Sequence, residues 1–277
     1  MAILCCYGAA SVLLVSRLPA CVFSPVLVFG EPQEARGGLG EKHERADANF
    51  MDVRLSCQPS YTLAYCFLEA GESVWSERGA MAALSAGITV GAGFGRGGMS
   101  KALLRKEAGG ESLFMTKFTA DVHGAWVALA PRYPGDIQTC AIRKGEDLLV
   151  QTGSMLGHSD GVTIDVKWAG VRNVVLREGA TVLRIHGDGE VLLASYGGLQ
   201  RFELAEEEEM VVDTGHLVAY GIGVGIKLGV LGGARVAAMS GEGIVARLAG
   251  PGPVFIQTRA EHGLVSWLAP SRSHDSR

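Results

Sequence analysis

The 277-residue chain is 48% hydrophobic and 19% charged, which supplies a buried core and excludes a globally disordered protein. Its formal net charge of −4 argues against a general nucleic-acid binder, which carries a strongly basic face. The 39 glycines have no collagen period; they suit many short strands joined by tight turns.

Residues 1–50 differ from everything after them. Met1 to Gly30 is apolar but broken by Arg17, Pro19 and Pro25, so it forms no continuous span of ~20 residues. No Lys or Arg precedes Arg17, so the positive start of a secretory signal is missing. Glu31 to Asn49 reads as a polar linker. The expectation is an N-terminal extension over 1–50, disordered or lying ahead of a start at Met51. A β-repeat domain over 51–270 and a fraying tail over 271–277 follow it. Cys5, Cys6, Cys21, Cys57, Cys66 and Cys140 form no C-x-x-C pair. They read as free thiols of a reducing cytosol, not as a disulfide framework or zinc site.

From Met51 the pattern is β. Strands are predicted at 61–68, 73–76, 88–90, 113–119, 125–130 and 137–142, punctuated by Glu69-Ala-Gly-Glu72 and Pro131-Arg-Tyr-Pro-Gly135. A second set covers 148–151, 162–168, 181–186 and 191–196. A third covers 210–213, 217–220, 223–228, 244–248 and 254–258, and a short helix is expected at 263–268. This density of strands means an all-β sandwich, barrel or β-roll.

Two sequence markers recur. Glu72-Ser-Val-Trp-Ser-Glu-Arg-Gly-Ala-Met81 is echoed by Glu146–Met155 and by Glu208–Leu217, aligning Gly79, Gly153 and Gly215. Glu111–Phe118, Glu178–Ile185 and Glu242–Leu248 follow at a similar period. Three internal repeats in a pseudo-threefold arrangement are expected, with the shared glycines serving equivalent turns.

Leu68-Glu-Ala-Gly-Glu-Ser-Val74, Arg78-Gly-Ala-Met81, Gly109–Phe114, Ala130–Ile137, Val212–Val218, Gly241–Ala246 and Gly252–Arg259 together resemble the altered-inheritance-of-mitochondria protein 24 family over roughly Met51 to Pro270. The resemblance implies a β fold similar to the tryptophan RNA-binding attenuation protein, of double-stranded β-helix type. It carries over no catalytic residues. Mitochondrial members of the family are associated with inner-membrane organisation.

The remaining motifs are weighed on their chemistry. Gly91–Gly98 lacks the order G-x-x-x-x-G-K-[ST], because Met99, Ser100 and Lys101 follow the glycines. It reads as a glycine hinge leading into a short basic amphipathic stretch. Arg96, Met99, Lys101, Leu103, Leu104, Arg105 and Lys106 are the candidate contact residues for an anionic membrane surface or a partner protein. Glu206–Glu209 reads as a solvated turn. His123, His158, His186 and His216 fall in no H-x-H or H-E-x-x-H pattern, so no metal or other cofactor is expected. No Gly-x-Ser-x-Gly elbow is present. Aromatics at 7% are not interleaved with basic residues, which disfavours nucleic acid. The reading is a non-enzymatic scaffold or binding module, cytoplasmic or peripheral to a membrane, with homo-oligomerisation expected. The alternative is a ring-forming module for a small ligand or RNA.

Overall fold

The computed structural model describes residues 50–93, 114–167, 182–231 and 244–268, all within the unit Glu31–Arg277. These residues are almost entirely β, as the composition requires, and every strand pairing is antiparallel.

Four sheets are present among the described residues. The first orders β1 (Asp52–Ser56), β2 (Leu63–Leu68), β7 (Ala125–Leu129) and β4 (Met81–Leu84). The second orders β5 (Ile88–Gly93), β6 (Met115–Ala120), β3 (Ser73–Glu77), β10 (Met155–Ser159), β13 (Gly189–Ala194) and β8 (Ile137–Ile142). The third orders β11 (Val162–Lys167), β12 (Val182–Gly187), β9 (Leu148–Gln151), β16 (Leu217–Gly221), β19 (Gly252–Gln257) and β14 (Leu199–Leu204). The fourth holds β15 (Glu209–Asp213), β18 (Ile244–Ala249) and β17 (Gly225–Val230). One helix, α1 (Glu261–Leu268), follows.

One pairing scheme occurs in β2–β7, in β8–β13 and in β14–β19. The first strand of each six pairs the sixth, and so does the third. The second and fourth both pair the fifth. The third strand carries a register shift at the same place each time: Met81/Ala83, Met155/Gly157 and Leu217/Ala219. Six-stranded sheets arise where the second strand of one six pairs the third strand of the next, β3 with β10 and β9 with β16.

Strand periodicity explains the core. Successive side chains alternate faces, so β13 sends Leu192 and Ala194 to one apolar cluster and Val191 and Leu193 to another. The first cluster joins Leu68, Val127 and Leu129 of the first sheet to Phe118, Ile137 and Leu156 of the second. The second cluster joins Ile142 and Met155 to Val150, Leu183, Ile185 and Phe255 of the third sheet. The last joins Leu217, Tyr220 and Val254 to Val212, Ala246 and Leu248 of the fourth. Both faces of the inner sheets are therefore covered, and β10 and β16 are buried throughout.

Four strands, β1, β4, β10 and β14, are not among those predicted. The Met-Ala-Ala-Leu and Met-Leu-Gly-His-Ser sequences of β4 and β10 contain no β-branched residue; their pairing to β7 and β13 overrides local preference. The turn glycines also divide. Gly79 and Gly153 hold φ of 84° and 88°, where L side chains are strained. Gly215 has no such φ; a Cβ there would lie 2.9 Å from His262 Nδ1, so close approach of α1 explains it instead.

Candidate functional site

An open groove of about 690 Å³ lies where the β8–β9 turn, the end of β12 and the β16–β17 turn meet. Gly145, at φ 94°, turns the chain from Lys144 into Asp147, and Glu146 N–H donates to Arg143 O at 2.9 Å. Asp147 is nearly buried. Its carboxylate accepts from Arg184 Nε at 2.7 Å, with a second guanidinium nitrogen at 2.5 Å, and its backbone oxygen accepts from Ile222 N–H at 2.9 Å. Arg184 pairs Leu149 across the β12–β9 ladder, which fixes where its guanidinium leaves the sheet. His186, two residues on and on the same face, has Nε2 3.0 Å from Asp165 Oδ2. The wall is completed by Gly187 and Asp188. A Cβ on Gly187 would come within 2.4 Å of Gly161 O, so glycine is required for this tight return.

Charge in this groove is close to balanced. Lys144 and Arg184 are set against Asp147 and Asp188, and the lining holds no Ser, Thr or Cys nucleophile. The arrangement can orient a small anionic group against Lys144 and the outer edge of Arg184. Sequence reasoning missed it, because its parts lie on turns of two different sixes; the Arg143-Lys-Gly-Glu-Asp147 run is the one local signal.

The predicted contact residues Arg96, Met99, Lys101, Leu103, Leu104, Arg105 and Lys106 lie outside the described residues. Their anchor points are described. Gly93 at the end of β5 pairs Met115 at the start of β6, and β5 is an edge strand with Val90 55% exposed. Glu206–Glu208 forms an exposed turn, as expected, and Glu209 begins β15. Glu208 closes it by accepting from Ala205 N–H at 2.9 Å, and Glu207 adopts φ 65°. Among the described residues no group of three His, Cys, Asp or Glu could hold a metal, and no helix is long and apolar enough to cross a membrane.

A family model described as mitochondrial biogenesis AIM24 matches residues 53–259. The chain belongs to the AIM24 family. It is 26% identical over 225 residues to an uncharacterized protein, M6_Spy0233, of Streptococcus pyogenes serotype M6, covering 78% of this chain and 89% of that one. The crystal structure of protein SPYM3_0169 from Streptococcus pyogenes is similar with a TM-score of 0.63 at 23% identity, over 79% of this chain and 98% of that chain. That likeness shows a shared fold.

Two further titratable groups in this AIM24-family chain are set by burial. His158, fully buried on β10, stacks on Trp75 of β3 with ring centroids 6.4 Å apart. Its Nδ1 lies 2.8 Å from Ser159 O and its Nε2 has no partner among the described residues. Burial holds its pKa down at about 4, against the pull of the Ser159 hydrogen bond and the Asp160 charge. Trp75 Nε1–H donates to Asp160 at 2.8 Å, and Lys117 lies over the same indole. Glu190 on β13 is pushed up to about 7 by burial, opposed by a hydrogen bond with Thr139. Neither group lines the groove.

Proposed function

We propose that this AIM24-family chain is a non-enzymatic scaffold or binding module built from three copies of one six-strand unit. It meets an anionic membrane surface, or a partner protein, through the 91–110 insertion, and works in the cytoplasm or at a membrane face. The observation that supports this is the insertion's attachment. It leaves from β5, a solvent-facing edge strand, and carries Arg96, Lys101, Arg105 and Lys106 among Met99, Leu103 and Leu104. Each basic residue beside an anionic leaflet contributes about 1 kcal/mol. Replacing Lys101, Arg105 and Lys106 with alanine therefore weakens binding about a hundredfold. Flotation with neutral and anionic liposomes tests it. Binding selective for anionic vesicles and lost in the triple variant is the expected result; no binding by the parent chain overturns this role for the loop.

The groove favours a second reading, a module for a small anionic ligand or RNA. Its lining includes Lys144, Arg184 and His186, and its affinity would fall steeply with salt.

A further inference from the structure

The two junctions between sixes have one geometry. β3 meets β10 with Val74↔Ser159, Trp75↔His158 and Ser76↔Gly157. β9 meets β16 with Leu148↔Gly221, Leu149↔Tyr220 and Val150↔Ala219. Counted from the turn glycines Gly79 and Gly153, these registers are identical. The residue three before the glycine faces the small residue just past the register shift.

Each junction needs the second strand of one six and the third strand of the next. One of each is left over, β15 at the end of the chain and β4 at its beginning. Among the described residues β15 pairs only β18 and β4 pairs only β7. The fourth strands of the sixes do not have this character. β5, β11 and β17 are edges in all three sixes, so no junction uses them. Exposure agrees: Met81 of β4 is 45% exposed, whereas its equivalents Met155 and Leu217 are 5% and 0%. On β15, Val211 is 43% exposed.

We infer that β15 of one copy adds to β4 of a second copy, in the register Met210↔Ser85, Val211↔Leu84 and Val212↔Ala83. The result is a seven-stranded sheet ordered β17-β18-β15-β4-β7-β2-β1. The residues at the new junction fit it. Ala83 is small where Gly157 and Ala219 are small; at Gly157 even a Cβ would lie 2.7 Å from Trp75 O, and at the other junction the position holds nothing larger than the methyl of Ala219. Leu84 meets Val211, an apolar pair where the in-chain junctions place Trp75 on His158 and Leu149 beside Tyr220. The edge is preformed: Ser85 N–H donates to Trp126 O at 2.9 Å, and Ser85 Oγ accepts from Trp126 N–H at 2.8 Å.

The sheet faces point the same way. Leu192 and Phe255, on the outward faces of the second and third sixes, sit in the apolar cluster of the six before them. The first six has none before it. Its outward face carries a separate cluster of Phe67, Trp126 and Ala128, with Leu63 and Tyr65 packed against it, and the first three are already buried within one copy. The two edges differ, so the contact is heterologous and propagates head to tail, closing as a ring or continuing as a filament.

The mass of the full chain in solution, by light scattering during gel filtration, tests this inference separately from the loop. The parent is expected at a multiple of 29.1 kDa. Val211→Lys places an ammonium against the partner's Leu84, and Ala83→Lys fills the position that must stay small. Both residues are exposed in one copy, so circular dichroism stays unchanged while each variant falls to 29.1 kDa. An equimolar mixture of the two retains one intact β15 and one intact β4, and is expected to form a dimer. Three results overturn the inference: a monomeric parent, including one whose own chain protects β4 from hydrogen exchange; an assembly that survives both substitutions; or a mixture that stays monomeric.

Discussion

Replacing Glu190 with Gln is expected to stabilise the protein at neutral pH and to leave it unchanged near pH 4. Burial raises the carboxyl from its ordinary 4.5 to about 7. The folded value lies above the unfolded one, so the folded state keeps a proton that the unfolded chain releases. The stability this gives is complete below pH 4.5 and is lost as pH rises through 7. At about 1.4 kcal/mol per pH unit the full gap is about 3 kcal/mol. Partial exposure of the side chain brings it nearer 2. Gln keeps the shape and the capacity to bond Thr139 without the charge.

His158 works in the opposite direction. Its pKa is lowered from 6.5 to about 4, so stability is full above pH 6.5 and falls as pH drops through 4. Between pH 4.5 and 6.5 the two slopes nearly cancel in the parent, which hides both. Urea unfolding of parent and Glu190→Gln at pH 4, 5.5, 7 and 8.5 separates them. A difference that grows from zero to about 2–3 kcal/mol is the expected result. A difference that does not change with pH refutes the assignment of the cost to a buried charge.

Gly79→Ala and Gly153→Ala meet no neighbouring atom, so each costs only the backbone strain of a positive φ, about 1 kcal/mol by chemical denaturation. Gly135→Ala is far worse, because its Cβ would fall 1.8 Å from Ser195 O; soluble expression is expected to collapse. If the groove binds anions, a phosphate-induced rise in melting temperature is expected in the parent, diminished by Arg184→Ala and by added salt. No such rise in the parent removes the small-anion reading.

Much of the fold was legible because the interior sheets leave a strong pattern. Strands such as β13 and β16, with apolar residues facing two cores, announce themselves as short hydrophobic runs. What escaped was β4 and β10, whose Ala, Gly and Ser residues carry no local strand preference and owe their state to pairing. Gly215 shows the same limit: its spacing matched Gly79 and Gly153, yet α1 packing against it, not a left-handed turn, explains the glycine. The groove was invisible for another reason. Asp147 and Arg184 are distant in sequence and adjacent only through the β9–β12 ladder. The basic amphipathic pattern of residues 96–106 is local and readable without any tertiary contact.

Burial of both faces in the second and third sheets carries a consequence for how the molecule comes apart. Removing either inner sheet would uncover two apolar clusters at once, whereas shedding the fourth sheet uncovers one, and shedding the first uncovers one and its small aromatic satellite. Opening energies should therefore be graded by position along the stack, as in one-dimensional arrays where each layer is held by its neighbours. Amides of β17 and β18 would exchange ahead of those of β13 and β16. Cooperativity here belongs to the pile of sheets, and no single six-strand segment cut from it would keep its apolar surface out of water.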